Sequence, residues 1–459
     1  MIAKSLQRIK VMVFSSLEFI FKFLPIFLLI YYIVPFSKKN LVIFVGSLVF
    51  YGWGALDYPE YLIYFLLTIL MNFVLGRAIE QFESGRKGLV TFAVFYNILP
   101  LFLFKVTINN IVLPVGISFF TFQNLSYVFD VYYKKVKAES SLVNYGAYIS
   151  MFPQLIAGPI ITYNEINKQL AERTISWEKA KRGIKYFLLG LGAKVLIANR
   201  IGTLWNDITK IGFESITTPL AWMGIIGYCL QLYYDFWGYS LMAMGMGSML
   251  GFEYPVNFQA PYRSTSMSQF YRRWHVTLGN WFKEYIYIPL GGNRVSKPRM
   301  VLNLFIVWIF TALWHGVEWN FLLWGMGIFC LIMIEKFGIG KWLEKHKFVG
   351  HVYVLAISPL MWLTFLMTDF GDYKTYLLKM FPCFGNAGDV LFATDYLKYL
   401  EIYWPFFLAG FLFLTETSEK LLQRYHKTIL MKLFLLFIFG LSVYCMYMGM
   451  NDPFLYFRF

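Results

Sequence analysis

The sequence predicts an all-α polytopic membrane protein. Three observations favour this class: 58% of the 459 residues are hydrophobic, only 15% are charged, and the mean hydropathy is +0.54. A soluble globular domain carries about 25% charged residues, so this composition points to a lipid environment. Long apolar segments alternate with short basic ones, which predicts about ten to twelve membrane-spanning helices in a single polytopic domain over residues 1–459.

The net charge of +15 has a matching explanation, because most basic residues lie in clusters between apolar segments. Pairs such as Lys38–Lys39 and Lys134–Lys135 are typical of cytoplasmic loops that set topology and contact lipid headgroups. They do not indicate a nucleic-acid partner. The 4 cysteines lie in or beside apolar sequence without CxxC spacing, so the sequence predicts neither a disulfide framework nor a metal site.

The chain begins with regular apolar segments and continues with interrupted ones. Residues 14–36 predict a retained first membrane helix, since no A-x-A cleavage site follows, and residues 41–56, 61–75 and 89–106 predict further scaffold helices. Residues 111–131 and 145–161 contain several prolines and glycines. Helix-breaking residues at membrane depth are tolerated where the backbone lines a cavity or is buried in protein. These segments therefore predict an internal chamber, with short packed helices as the alternative.

Asp235 is an acidic residue in the middle of the apolar segment 221–250. A carboxylate there needs a partner, and Arg263, Arg272 and His275 are candidates. A structural ion pair is the favoured interpretation and catalysis the alternative. Asp235 is thus a supporting residue of the predicted site.

The segment 268–294, SQFYRRWHVTLGNWFKEYIYIPLGGNR, predicts an amphipathic or re-entrant helix on the cytoplasmic surface. Apolar residues recur along it at helical spacing, and a second face carries Arg272, His275, Gly279 and Lys283. Its many basic residues favour the cytoplasmic side, and Pro289 followed by two glycines ends the helix. His275 is therefore a candidate site residue.

His315 follows a long apolar run and is the second candidate. Residues 301–313 would climb roughly 20 Å into hydrocarbon at about 1.5 Å per residue before the sequence Trp314-His315-Gly316. Ionisable side chains at such depth are functional candidates by default. The alternative is a buried histidine satisfied by a backbone carbonyl. His346, His351 and His426 lie in or beside basic sequence and are expected to be solvated.

Several protein classes lack support in the rest of the sequence. Residues 321–334, 352–367, 402–414 and 429–448 complete the predicted spans, and no internal repeat of the kind common in secondary transporters is evident. The P-loop, GxSxG and HExxH patterns do not occur. This argues against a nucleotide motor, a serine-hydrolase elbow and a zinc protease.

Long ordered motifs resemble the membrane-bound O-acyltransferase (MBOAT) family, in its alginate and peptidoglycan O-acetyltransferase branch. They are LPVGISFFTFQ (113–123), FPQLIAGPI (152–160), DFWGYS (235–240), the histidine segment 268–294 and LWHG (313–316). The resemblance implies a ring of transmembrane helices with re-entrant helices around a central chamber. It also implies that Met1–Val11 is an N-terminal extension.

The same resemblance implies roles for the candidate residues. His315 matches the family's catalytic histidine, His275 matches the second signature position, and Trp314 supports them. A neutral imidazole in an apolar site suits general-base activation of an alcohol that attacks a thioester. His275 would orient the thioester or stabilise its carbonyl oxygen. Arg272, Arg273 and Lys283 would meet the phosphates of the donor substrate acetyl-CoA, with no bound cofactor.

The resemblance also implies partners and a location. The protein is expected in a bacterial cytoplasmic membrane, where it would pass acetyl groups to an extracytoplasmic polysaccharide with a periplasmic SGNH-type transferase. Peptidoglycan is the preferred acceptor, because the usage of Phe, Tyr and Lys hints at an AT-rich genome, and alginate or another exopolysaccharide is the alternative. The ending FLYFRF resembles the tail motif of the small membrane peptide in teichoic acid D-alanylation, which implies that Tyr456 relays the acyl group. The alternative is that Tyr456 is an aromatic interface anchor.

Two different functions remain open at this point. A D-alanyl transferase for teichoic acid would use the same histidines, and its basic helix would dock an acidic carrier protein. A non-enzymatic channel or transporter would also explain broken helices and buried polar residues.

Overall fold

A computed structural model describes residues 12–106, 113–156, 158–385, 388–415, 420–421, 424–425 and 428–450. The regular structure in these ranges is helical and contains no strand, so the predicted all-α class is confirmed. The α-helices in chain order are α1 (Leu24–Ile33), α2 (Phe36–Gly54), α3 (Pro59–Gln81), α4 (Arg86–Val106), α5 (Ile117–Tyr132), α6 (Leu142–Ser150), α7 (Phe152–Leu155), α8 (Tyr163–Ala171), α9 (Trp177–Gly192), α10 (Asn199–Ile211), α11 (Thr218–Met249), α12 (Met267–Arg273), α13 (Val276–Phe282), α14 (Lys297–His315), α15 (Trp319–Ile334), α16 (Gly340–Lys345), α17 (Lys347–Leu366), α18 (Phe370–Met380), α19 (Asp395–Phe413) and α20 (Ile429–Tyr447).

Several helices are continued by π-helical turns, in which the backbone hydrogen bonds span one residue more than in an α-helix. They are Phe19–Phe23, Ala193–Ala198, Lys283–Tyr287 and Glu335–Ile339. Such turns are often found at functional sites. The last two contribute side chains to the cavity described below.

Seven helices in the described part of the chain are long and apolar enough to cross a bilayer. The protein is therefore a multi-pass membrane protein. Four other predicted segments are not among the seven. Residues 41–56 and 221–250 lie in α2 and α11, which are less apolar because they contain polar residues such as Lys38 and Lys39, or Gln231 and Asp235. Residues 14–36 and 402–414 overlap α1 and α19, and the predicted total of about ten to twelve spans stays a prediction. The seven spans are Pro59–Gln81, Arg86–Val106, Trp177–Ile211, Lys297–His315, Trp319–Lys345, Lys347–Leu366 and Ile429–Tyr447.

The described residues divide into two compact units, one within 1–187 and 240–256, the other within 188–239 and 257–459. The single polytopic domain expected from the sequence stays a prediction.

The two segments predicted to be irregular lie in the first unit, and one of them is more regular than expected. α5 runs without interruption because the helix-breaking residues all precede it. Gly116, just before α5, has φ +73°, and a Cβ there would lie 2.4 Å from the carbonyl oxygen of Leu155. The second segment is interrupted, since Met151 separates α6 from α7. The cavity described below is lined by residues of the second unit, so the chamber predicted from these segments is not the one described there.

An aromatic cluster in the second unit holds the histidine segment in place. The ring of Trp274 lies 4.9 Å from Trp362 and 6.1 Å from Tyr233, measured between ring centroids. Trp362 in turn stacks with Trp324 at 6.2 Å. The end of α12 is thus packed against α11 and α17, which places His275 next to the cavity.

Candidate active site

A cavity of about 840 Å³ in the second unit has both His275 and His315 in its wall. This volume is in the range of small-molecule sites. Much of the wall is apolar and aromatic, which excludes water from part of the space. These apolar residues include Leu232, Phe236, Trp308, Trp324, Trp362 and Phe365.

His315 is the last residue of α14 and is only half-buried. Its ring packs edge-on against Phe365 and Trp324, with centroids 4.9 and 5.2 Å away, and stacks with Phe321 at 6.1 Å. A Cβ at Gly316 would lie 2.5 Å from the Phe321 ring, so glycine is what lets this ring pack beside the histidine. His315 therefore faces the cavity and is not sealed in the core.

His275 lies at a break in the segment predicted as one amphipathic helix, and that prediction was wrong. α12 ends at Arg273, and α13 begins at Val276, with His275 between them at φ +46°. This left-handed conformation is uncommon for a residue with a side chain. Helical spacing could not show the break, because it depends on hydrogen bonds to the distant residue Asn257.

Asn257 bonds both the backbone and the ring of the His275 segment. The backbone carbonyl oxygen of Asn257 accepts a hydrogen bond from the backbone N–H of Val276 at 2.9 Å. The side-chain Oδ1 of Asn257 lies 3.0 Å from Nδ1 of His275. His275 is buried, with 5% of its surface exposed. Burial lowers the pKa of His275 to about 3, because the charged imidazolium loses its hydration. The ring is therefore neutral near pH 7.

Trp314 lies beside both histidine rings, and its supporting role stays a prediction. Its ring centroid is 4.5 Å from that of His315 and 6.3 Å from that of His275. Phe236 packs edge-on against His275 at 4.7 Å. The two histidines therefore share one aromatic wall.

The cavity wall also carries four basic side chains, of which the sequence predicted two. Arg272 and Lys283 line the cavity as predicted, and Lys336 and Lys341 join them from the segment after α15. Arg273 is not among the lining residues, and its carbonyl accepts from the backbone N–H of Gln259. The sequence predicted that Arg273 binds phosphates of the acyl donor, and a position outside the cavity wall does not fit that role. Two acids, Glu335 and Glu344, also line this part.

Glu335 fixes the start of the histidine segment. Its carboxylate is buried and accepts from the backbone N–H of Met267 at 2.6 Å and of Ser268 at 2.8 Å. The Ser268 hydroxyl also donates to it. The carboxylate thus bonds N–H groups that a helix start would otherwise leave unsatisfied.

Asp235 forms the predicted buried ion pair, but with a different partner. Its Oδ1 lies 2.7 Å from Nζ of Lys194, which also donates to Asn199 at 2.7 Å. Lys194 was not among the three partners considered from the sequence, because it lies far from Asp235 along the chain. Asp235 is not among the cavity-lining residues, whereas Leu232 and Phe236 of the same helix are. Its role as a supporting residue of the site stays a prediction.

The remaining candidates lie elsewhere. His346 is exposed, and His351 Nδ1 lies 3.1 Å from the carbonyl oxygen of Ser264. Tyr456, Met1–Val11 and His426 lie outside the described residues. Among the residues described, no group of three or more His, Cys, Asp or Glu could hold a metal ion.

Comparisons with known proteins agree on one family. The sequence model of the membrane-bound O-acyltransferase family matches residues 86–379, which include both histidines. The probable alginate O-acetylase AlgI of Pseudomonas aeruginosa is 34% identical over 386 residues, which cover 78% of this chain and 71% of that protein. The chain belongs to the membrane-bound O-acyltransferase family.

Other MBOAT relatives have related activities in their names. The peptidoglycan O-acetyltransferase of Helicobacter pylori is 32% identical, covering 70% of each chain. The teichoic acid D-alanyltransferase of Bacillus subtilis is 26% identical, covering 67% of this chain and 83% of that protein. The resemblance noted from the sequence motifs is thus confirmed, and the protein is an O-acyltransferase.

Sequence reasoning missed three features of this MBOAT site. Glu335, the pair Lys336 and Lys341, and Asn257 come from parts of the chain remote from both histidines. Asn257 offered a weak signal, as an amide in the short segment between an apolar helix and the histidine segment. The basic residues after α15 carry no pattern that points to a site, and only the fold shows that Lys336 and Lys341 reach the cavity.

Proposed function

We propose that this protein transfers an acetyl group from cytoplasmic acetyl-CoA to the hydroxyl of an extracytoplasmic polysaccharide, in a bacterial cytoplasmic membrane. The observation that carries the proposal is that His275, His315 and four basic side chains line one cavity. A thioester with a phosphorylated carrier arm needs a basic entrance and an apolar interior, and this cavity offers both.

His315 is the proposed general base. An alcohol attacks a thioester slowly near neutral pH, and an imidazole that removes its proton speeds the attack by about 10²–10⁴-fold. As the C–O bond forms, the proton passes to the ring. The tetrahedral intermediate then collapses, the C–S bond breaks, and the leaving thiolate takes the proton back from the imidazolium. The ring is neutral again, and the products are an acetyl ester and a thiol.

Arg272, Lys283, Lys336 and Lys341 are the proposed donor-binding groups. Guanidinium and ammonium groups bind phosphate strongly, and acetyl-CoA carries three phosphate groups. A D-alanyl donor on a carrier protein is the alternative, supported by the 26% identity to the D-alanyltransferase. Donor competition separates the two, because free CoA would compete with acetyl-CoA for a cavity that binds its phosphates.

The final acceptor is proposed from the relatives. Alginate and peptidoglycan are the acceptors in the names of proteins 34% and 32% identical to this chain. Peptidoglycan as the preferred acceptor stays a prediction, as do the periplasmic SGNH-type partner and an acyl relay at Tyr456. The acceptor assay therefore uses peptidoglycan fragments and oligomannuronate side by side.

The test measures acetyl transfer by the full chain in sealed proteoliposomes. Radiolabelled acetyl-CoA is supplied on one side and each soluble glycan is offered as acceptor, with release of CoA as a second readout. We expect CoA release and labelled glycan from the wild type and a loss of about 10³-fold in His315→Ala. His346→Ala is the matched control, since His346 is exposed, and it should stay within twofold. Equal rates in the two variants would refute the proposal.

A further inference from the structure

A buried amide beside His275 determines which ring nitrogen carries the proton, and this deepens the proposed function. Asn257 is fully buried, with 0% of its surface exposed. Its Oδ1 lies 3.0 Å from His275 Nδ1, 2.9 Å from the Thr277 hydroxyl and 3.4 Å from the Thr277 backbone nitrogen. Three contacts therefore converge on one side-chain atom.

The Thr277 backbone N–H identifies that atom as an oxygen. A backbone N–H can only donate, so it could not bond to the amide nitrogen of Asn257. Because the same oxygen faces His275 Nδ1, the neutral ring bonds to it only with the proton on Nδ1. Nε2 then carries the lone pair.

The backbone bonds fix the ring relative to Asn257. Val276 N–H donates to the carbonyl oxygen of Asn257 at 2.9 Å, and Gly279 N–H donates to that of His275 at 3.1 Å. Phe236 packs edge-on against the imidazole at 4.7 Å. The position of the imidazole is thus constrained by the backbone hydrogen bonds beside it, by the contact at Nδ1 and by the packing of Phe236.

We infer that Asn257 is a positioning residue that holds His275 as the Nδ1–H tautomer, so that Nε2 accepts a hydrogen bond from an O–H or N–H group of the bound substrates. Of the two roles expected for His275 from the sequence, orienting the thioester is compatible with this tautomer and stabilising its carbonyl oxygen is not. A thioester carbonyl offers no hydrogen-bond donor, so in this state His275 does not stabilise the carbonyl oxygen.

Two substrate groups have the required chemistry. One is the hydroxyl of the incoming acceptor, and the other is an amide N–H of the pantetheine arm of the donor. Short thioesters separate them, because S-acetyl-N-acetylcysteamine keeps one amide and S-acetyl-mercaptoethanol has none. If His275 binds the donor arm, the defect of Asn257→Ala is large with the first thioester and small with the second. If it binds the acceptor hydroxyl, the defect is the same with both.

The tautomer is measured directly by ¹⁵N NMR of the full chain labelled at its 5 histidines. Protonated and unprotonated ring nitrogens differ strongly in chemical shift, and His275→Gln assigns the His275 signals by their loss. We expect a protonated Nδ1 and an unprotonated Nε2 at pH 7. The opposite tautomer in the wild type would overturn the inference, and that measurement depends on no destabilising variant.

Kinetics of three variants complete the test. Asn257→Ala should lower kcat/KM about 10- to 100-fold, as for other hydrogen bonds that orient a histidine. Asn257→Asp keeps an oxygen that can accept a hydrogen bond from His275 Nδ1, and its kcat/KM should lie within tenfold of the wild-type value. Thr277→Val removes only the Thr277 hydroxyl, which also donates to Asn257 Oδ1, and its kcat/KM should stay within threefold of the wild-type value. Equal rates for Asn257→Ala and Thr277→Val would contradict the inference.

The two levels of the proposal fail separately. A wild-type Nδ1–H tautomer in a protein that transfers no acetyl group would refute the proposed function and leave the role of Asn257 in place. An Nε2–H tautomer in an active enzyme that needs His315 would refute the role of Asn257 and leave the proposed function in place.

Discussion

The two histidines reach the same cavity by opposite means. His315 ends a regular apolar helix, and aromatic rings pack around it. His275 lies at a break between two short helices, and hydrogen bonds to Asn257 hold it. Packing against rings sets a side chain's place without choosing which nitrogen is protonated, whereas a hydrogen bond sets both.

This difference suggests a division of labour. A base must exchange its proton during each turnover, and the aromatic packing of His315 is compatible with either protonation state. A positioning group works best in one fixed state, and the proposed bond from Nδ1–H to Asn257 would hold the neutral His275 ring in one tautomer. The comparison therefore supports the proposed roles, which are proton transfer for His315 and substrate orientation for His275.

The largest expected effect separates these two roles. His315→Ala should lower acetyl transfer about 10³-fold, because the base is lost, and His275→Ala about 10- to 100-fold. Single-turnover assays with labelled acetyl-CoA measure both. If the two variants lost equal activity, or His275→Ala lost more, the division of labour would be wrong.

The next effect concerns the basic residues near His275. Arg272→Ala and Lys336→Ala should each raise the KM for acetyl-CoA about three- to tenfold, with less effect at high salt, because each removes a phosphate contact. Arg273→Ala is the matched control, since Arg273 is adjacent in sequence but does not line the cavity, and its KM should change less than twofold. Equal effects at Arg272 and Arg273 would mean that the donor binds to the outer basic surface.

A pair of variants tests whether each histidine depends on the kind of contact described. Glu335→Ala removes the carboxylate that bonds Met267 and Ser268, and should destabilise the protein by about 1–2 kcal/mol and shift the His275 NMR signals. Gly316→Ala places a methyl group against Phe321 and should cost about 1–3 kcal/mol and shift the His315 signals. Thermal unfolding and NMR check both. If Glu335→Ala shifted mainly the His315 signals and Gly316→Ala mainly the His275 signals, the two histidines would not be held by the contacts described.

The last effect is a pH dependence of stability that arises from His275, which lies outside the membrane-spanning helices. Its folded-state pKa is about 3, below its unfolded value of about 6.5, so below pH 6.5 the unfolded chain binds a proton that the folded chain does not. The free energy of unfolding should therefore fall by about 2 kcal/mol between pH 6.5 and 5, and be independent of this residue above pH 7.

A matched variant isolates that contribution. His275→Gln lacks the ring and should lose about 2 kcal/mol less than the wild type over the same pH range. Chemical unfolding at pH 5, 6 and 7 measures the difference. An identical pH dependence in both proteins would show that His275 is already charged or solvated in the folded state.

The sequence predicts best what depends on local pattern. His315 was found because an apolar run of regular helical length leads to it, and α14 follows that run closely. The break at His275 was not predicted, because Arg272, His275, Gly279 and Lys283 have perfect helical spacing. Hydrogen bonds from Asn257 override that spacing, and no local pattern encodes them. The partner of Asp235 and the place of Lys336 were missed for the same reason, since both depend on helices meeting in the fold.

The most direct measurement of the central claim is chemical rescue of the missing base. His315→Ala leaves room in a cavity of about 840 Å³, which is large enough to admit free imidazole. Acetyl transfer by this variant is measured with increasing imidazole, beside His346→Ala. We expect a loss of about 10³-fold without imidazole and a partial, saturable recovery with it, because the added ring takes up the proton. A His315→Ala protein that transfers acetyl at the wild-type rate without imidazole would contradict it.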